Sequence, residues 1–164
     1  MSIYFFWGED DFAIAQAVKT LQNKIVDPNW IQFNYDKIAG EQPDATSNAL
    51  NQAMTAVFGM GGRLIWVVES TLCQQCSEEN LQQLQRVLPA MPETSHLLLT
   101  SSKKPDRRLK STKLLEKYAE VKEYSPIPPW KTDELIKKVA EVAQKIEVKL
   151  TPKAIELLAE SVGN

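Results

Sequence analysis

The residues with the most evident capacity for chemistry sit at the first turn of the chain. An apolar run, Ile3-Tyr4-Phe5-Phe6-Trp7, reaches Gly8 and then Glu9-Asp10-Asp11 before helical spacing begins at Phe12. A buried strand that turns into a helix at glycine is where many nucleotide-binding folds hold phosphate. Phosphate capture there needs several glycines whose N–H groups close round the anion, then Lys and Ser or Thr, in the pattern G-x-x-x-x-G-K-[ST]. This turn has one glycine, and the first lysine is Lys19. Three carboxylates occupy the positive end of the helix and would repel a phosphate. The pattern reads as a nucleotide-binding architecture with its nucleotide site disabled, and no cofactor is expected. The acids are expected to cap the first helix rather than to hold a metal.

Cys73-Gln74-Gln75-Cys76 has the spacing of half a zinc site or of a redox pair. A structural zinc needs four ligands, and the sequence adds only one histidine, His96, within an apolar run. A thioredoxin-like pair opens a helix directly after a strand, whereas Glu69-Ser70-Thr71-Leu72 intervene here. Free thiols in a loop are the expectation. Glu69 follows an apolar run, where ATPases place catalytic acids; without phosphate-binding groups it is left as a loop contact or a helix cap. His96 has no Ser, Cys or Asp partner recognisable by spacing, so no catalytic residue is expected.

The net charge of −2 hides an asymmetry. Residues 1–100 carry five basic and eleven acidic side chains, and residues 101–164 carry fourteen and ten. Lys103, Lys104, Arg107, Arg108, Lys110, Lys113 and Lys117 face only Asp106 and Glu116 within one short stretch. Such a patch is a candidate contact for phosphates or for an acidic partner, and equally an ordinary solvated face. The longest apolar runs fall far below the roughly 18 residues of a membrane span. The N-terminus lacks a basic stretch ahead of an apolar one, so a cytoplasmic protein without membrane contact is expected.

These groups must be positioned by alternating elements. Phe12, Ile14, Ala15, Val18, Leu21 and Ile25 recur at helical spacing until Asp27-Pro28, and Trp30 to Tyr35 alternates as a half-exposed strand would. Asp44 is placed to cap a helix whose apolar stripe runs Ala49, Leu50, Ala53, Met54, Val57 and Phe58 to Gly59. Leu64–Val68 reads as a central strand, Ser77 opens a helix, and His96–Thr100 reads as the fourth strand. A helix over Arg107–Tyr118 and a short strand over Val121–Tyr124 follow. Five alternations of strand and helix call for an α/β domain over residues 1–125, a five-stranded parallel sheet with helices on both faces. Pro126, Pro128 and Pro129 break the pattern, making 126–130 a linker. Thr132 and Thr151-Pro152 then open two helices in a second, incomplete helical domain over 131–164.

Four stretches together resemble one family. They are Tyr4-Phe5-Phe6-Trp7-Gly8-Glu9-Asp10-Asp11-Phe12; Phe58 with Gly61-Gly62-Arg63-Leu64 and Val67-Val68-Glu69; Lys103-Lys104-Pro105-Asp106-Arg107-Arg108; and Leu158-Ala159-Glu160-Ser161-Val162-Gly163. They are similar to the bacterial DNA polymerase III delta subunit, the clamp-loader subunit that opens the sliding clamp. The resemblance implies an AAA+ type α/β domain without ATPase activity, followed by a small helical lid and, in the family, by a C-terminal domain that joins the other loader subunits. It implies a non-catalytic role within the polymerase holoenzyme, with the sliding clamp and primed DNA as partners. The family's clamp-binding wedge, commonly Leu-Phe at the end of the second helix, corresponds by position to Val57-Phe58, with Val in place of Leu. Met60 is an auxiliary candidate, and Lys103, Lys104, Arg107, Arg108 and Lys110 are candidates for touching DNA or a partner. The competing classes are an AAA+ nucleotide hydrolase, which would need a phosphate loop, and a DNA-binding module acting through residues 103–117.

Overall fold

The computed structural model describes residues 2–128 and 130–162, the last in its backbone only. Pro129 of the expected linker and Gly163-Asn164 of the expected lid lie outside the described residues. The chain divides into two compact units, Met1–Ser125 and Pro126–Asn164.

In the first unit the N-terminal apolar run is β1 (Ile3–Trp7), and its place in the sheet explains why it is apolar on both sides. β2 (Tyr35–Ala39), β3 (Arg63–Val68), β4 (Ser95–Ser101) and β5 (Glu120–Glu123) complete a parallel sheet in the order β2-β3-β4-β1-β5. The three interior strands must cover both faces, because successive side chains point to opposite sides. Ile3, Phe5, Ile65, Val67, Leu97 and Leu99 enter one core. That core is closed by Leu50 of α3 (Ala45–Ala53), Leu84 of α4 (Glu78–Val87) and Leu115 of α5 (Lys110–Tyr118). Tyr4, Phe6, Leu64 and Leu98 enter the opposite core, closed by Ile14, Val18 and Leu21 of α1 (Asp11–Ile25). The edge strands β2 and β5 are more exposed and carry Asp36, Lys37, Glu120, Lys122 and Glu123, which discourage pairing with further strands.

Asp10 caps α1, its Oδ1 accepting from Ala13 N–H at 2.9 Å, and Ser77 caps α4 through Asn80 N–H at 3.1 Å. Other boundaries differ from those the sequence predicts. Trp30 to Tyr35 does not form a strand. Asp27 accepts from Asn29 N–H at 2.9 Å and Pro28 fixes the next φ, so Pro28–Trp30 is a 3₁₀ turn continued by the short helix α2 (Ile31–Asn34). α3 ends at Ala53 rather than Phe58, and residues 54–62 form a loop. Asp44 occupies the N-cap position of α3 with no hydrogen bond from its side chain. α5 begins at Lys110 rather than Arg107, because Asp106 takes the Arg108 and Leu109 amides into a turn. In the second unit α6 (Thr132–Lys145) starts after Lys131 as N-cap, and α7 (Pro152–Val162) packs against it through Leu135, Ala143 and Ala159.

Candidate functional site

The β1–α1 turn is where a nucleotide would be expected, and its polar groups are already engaged. Gly8 N–H donates to the Ser101 carbonyl at 3.0 Å, Asp10 N–H to the Tyr124 carbonyl at 3.0 Å, and Ala13 N–H to the Asp10 carboxylate. Gly8 has φ +140°, and a Cβ there would lie 2.0 Å from the Tyr124 carbonyl oxygen. Its glycine is therefore required by the backbone that crosses it after β5, not by an anion. Glu69, at the end of β3, accepts from Ser102 N–H at 3.1 Å and Ser102 Oγ at 2.8 Å, a contact between two loops.

Cys73 is buried and free, and burial pushes its thiol up to about 11. Burial also raises Cys76, so neither presents a thiolate near neutral pH. His96 is half-buried in β4 and stacks on Tyr4 with ring centroids 6.2 Å apart; burial lowers its pKa. Among the described residues no group of three or more His, Cys, Asp or Glu is placed to hold a metal ion. No helix among them is long and apolar enough to cross a membrane.

The basic stretch is less uniform than its sequence. Arg108 forms a bidentate pair with Asp106, at 3.0 and 2.8 Å, which holds the Asp106 carboxyl down to about 2. Arg107 Nε lies 3.3 Å from Glu116. Lys103, Lys104 and Lys110 are exposed and form no ion pair among the described residues. Lys113 and Lys117 are likewise exposed without an ion pair, Lys117 lying over the Tyr118 ring at 5.0 Å, so the lysines rather than the arginines carry the open charge.

The loop after α3 is the other prominent feature. Phe58 is 54% exposed and Met60 70% exposed, while Val57 is half-buried. The Phe58 ring lies 4.8 Å from that of Phe33 and 5.3 Å from that of Trp30, centroid to centroid, edge-on to the latter. Trp30 and Phe33 are three residues apart across the 3₁₀ turn and α2, so both rings fall on the side that meets the loop. Phe33, Ile31 and Met54 are exposed as well, and the whole forms an apolar patch near one end of the sheet. The three rings of Trp30, Phe33 and Phe58 are gathered by these contacts, and exposed aromatic groups so gathered mark contact surfaces rather than cores.

Besides these ring contacts, the backbone of Phe58 is held. Phe58 N–H donates to Asn34 Oδ1 at 2.9 Å, and Asn34 Nδ2 donates to the Phe58 carbonyl at 2.8 Å. Asn34 itself is 0% exposed. Gly59 has φ +70° and lies against the Trp30 ring, where a Cβ would come within 2.4 Å of it. Beyond it, Gly61 bridges to Val26, Gly62 N–H donates to the Ile25 carbonyl at 2.7 Å, and Arg63 Nη2 donates to the Phe33 carbonyl at 2.7 Å. The Gly61-Gly62-Arg63 stretch thus stitches the loop to the end of α1 and to α2. Val57, Phe58 and Met60, the candidates the resemblance implies, lie in this loop, and Trp30, Phe33 and Asn34, which the structure brings beside Phe58, are not among those candidates. Asp27-Pro28, read only as a stop for α1, is also a start signal, and the Trp30–Phe33 spacing is helical.

A five-stranded parallel sheet in this order, covered by helices on both faces, defines the first unit as an α/β domain. The family model for the DNA polymerase III delta subunit matches residues 4–125, and the chain belongs to that family. No curated protein sequence matches it. Among solved structures, the DNA clamp loader delta protein of Bacillus subtilis is similar at 22% identity with a TM-score of 0.77, over 96% of this chain and 47% of that one. A DNA polymerase III gamma subunit-related protein from Thermotoga maritima is similar at 12% identity and a TM-score of 0.54, over 98% and 53%. The chain therefore spans about half the length of the structures it matches.

Proposed function

We propose that this chain is the clamp-contacting part of a clamp-loader delta subunit and works without catalysis of its own. The observation that carries the reading is Phe58, a ring more than half open to solvent on a loop whose backbone is held from both sides. A ring so presented fills a pocket on a partner without first being ordered, which is how a few aromatic residues come to dominate an interface. Phe58 supplies the main contact, Met60 extends it, and half-buried Val57 adds a smaller one. If the pocket fits better when the clamp ring is open, binding alone shifts the clamp toward that state. ATP binding and hydrolysis fall to other subunits, because the turn that would hold phosphate lacks the glycines and the lysine of a phosphate loop and spends its Gly8, Asp10 and Ala13 N–H groups on protein oxygens. Primed DNA, if it touches this chain, meets Lys103, Lys104 and Lys110, with Arg107 and Arg108 joining only by leaving Glu116 and Asp106.

The test is a calorimetric titration with the sliding clamp of the same organism, with and without ATP, beside a thermal melt of each variant. The unmodified chain binds in both cases. Phe58→Ala loses about 2 kcal/mol or more of binding while its melt moves little. Leu50→Ala, in the core, behaves oppositely and loses about 2–5 kcal/mol of stability. Normal clamp affinity in a well-folded Phe58→Ala chain rules the contact out.

A further inference from the structure

An asparagine completely removed from solvent in a protein of this kind calls for a reason. Asn34 is the last residue of α2, and its side chain spends both ends of its amide on a single residue 24 positions away in the chain. The pair of bonds, 2.9 Å from Phe58 N–H and 2.8 Å to the Phe58 carbonyl, copies the way a neighbouring strand would hold that residue. Only a side-chain amide offers a donor and an acceptor side by side in this manner. No apolar residue could replace it without leaving the Phe58 backbone unpaired.

We propose that Asn34 is a positioning residue for binding: it sets the backbone of Phe58 so that the ring projects from the body in the conformation the partner takes up. The proposal rests on the reading of Phe58 as the main clamp contact. The neighbouring groups divide the work in a way the geometry makes plain. Trp30 and Phe33 touch the Phe58 ring and fix its lateral position, whereas Asn34 touches only its backbone and fixes how far it stands out. Without Asn34 the Phe58 backbone loses its two hydrogen bonds to α2, and the loop between Ala53 and Gly61 is left with the ring contacts to Trp30 and Phe33 and the bridge at Gly61. Phe58 then samples many positions, and ordering it on the partner costs affinity that the native loop does not lose.

A double-mutant cycle with the sliding clamp of the same organism tests this, using the chain with Asn34→Ala, Phe58→Ala and both changes, each titrated at a temperature where its melt shows it folded. If Asn34 acts through Phe58, Asn34→Ala weakens binding about tenfold on its own and has no further effect in the Phe58→Ala background. Equal losses in both backgrounds overturn the proposal, since Asn34 would then act by general stability or by another route; so does unchanged affinity of Asn34→Ala while Phe58→Ala binds poorly. If Phe58→Ala itself binds normally, the clamp-contact reading fails first, and the proposal goes with it for that separate reason. Hydrogen exchange on the unmodified chain stands independent of any variant's folding. The Phe58 amide, in an exposed loop, is expected to exchange at least about a hundredfold more slowly than an unprotected amide, because Asn34 holds it in a buried bond. Exchange at the free-amide rate overturns the proposal.

Discussion

The turn after β1 and the loop after α3 are made of the same materials and turn them to opposite ends. Each has a glycine at positive φ, and in each the backbone polar groups find partners within the protein. At Gly8 those partners are the carbonyls of Ser101 and Tyr124, and the crossing backbone fills the space an anion would need. At Phe58 the partner is one buried side chain, and the result is an apolar ring held outward. Where a phosphate loop leaves N–H groups open, the turn after β1 spends those of Gly8, Asp10 and Ala13 on protein oxygens, and the loop after α3 offers hydrophobic surface instead. The comparison teaches that a turn between strand and helix keeps its form without a bound ligand where protein oxygens take its amides.

The comparison breaks most visibly at the glycines. Gly8→Ala places a Cβ against the Tyr124 backbone in a conformation closed to L-residues, so a loss of about 3 kcal/mol or more is expected in urea unfolding. Gly59→Ala meets a side chain instead, the Trp30 ring, which can move; about 1–2 kcal/mol is expected, with weaker clamp binding because the ring that moves is the one beneath Phe58. Equal costs at the two positions would mean that the turn after β1 is no more closed than the loop. The smallest effect sharpens the contrast at the helix end. Asp10→Ala removes the cap of α1 and costs about 1 kcal/mol in the same unfolding experiment, and it should not make room for ATP, because the Gly8 and Asp10 amides keep their carbonyl partners. Saturable ATP binding by that variant in calorimetry would show that carboxylate charge alone keeps nucleotide out.

The sheet was legible because burial leaves a plain mark on sequence. Ile3–Trp7 and Leu64–Val68 are apolar on both faces for the reason that they lie inside a parallel sheet, and Ser77 caps α4 as its type predicts. The site was legible in one residue and not in its support. Ala49, Leu50, Ala53, Met54, Val57 and Phe58 keep helical spacing, yet α3 stops at Ala53. The periodicity cannot register that Asn34 competes for the Phe58 backbone from 24 residues away. In the same way Ile31, Phe33 and Tyr35 alternate like a strand, while Asp27 and Pro28 commit the chain locally to a 3₁₀ turn before the alternation can act. Strands whose burial shows in their own residues read true, whereas alternation and periodicity mislead where a cap beside the stretch or a hydrogen bond far from it decides the backbone.

The strand order carries a consequence for synthesis. β1 is synthesised well before either of its partners: it pairs with Leu97–Ser101 and with Glu120–Glu123. Until the chain has grown past residue 123, Tyr4, Phe5 and Phe6 have a free edge and no complete sheet to enter. Contacts so far apart in sequence close slowly, and an unpaired apolar strand is a site for aggregation while it waits. Chains shortened before β5 should therefore be poorly soluble even though they retain β1 to β4, and β1 is the segment that most needs shielding during translation.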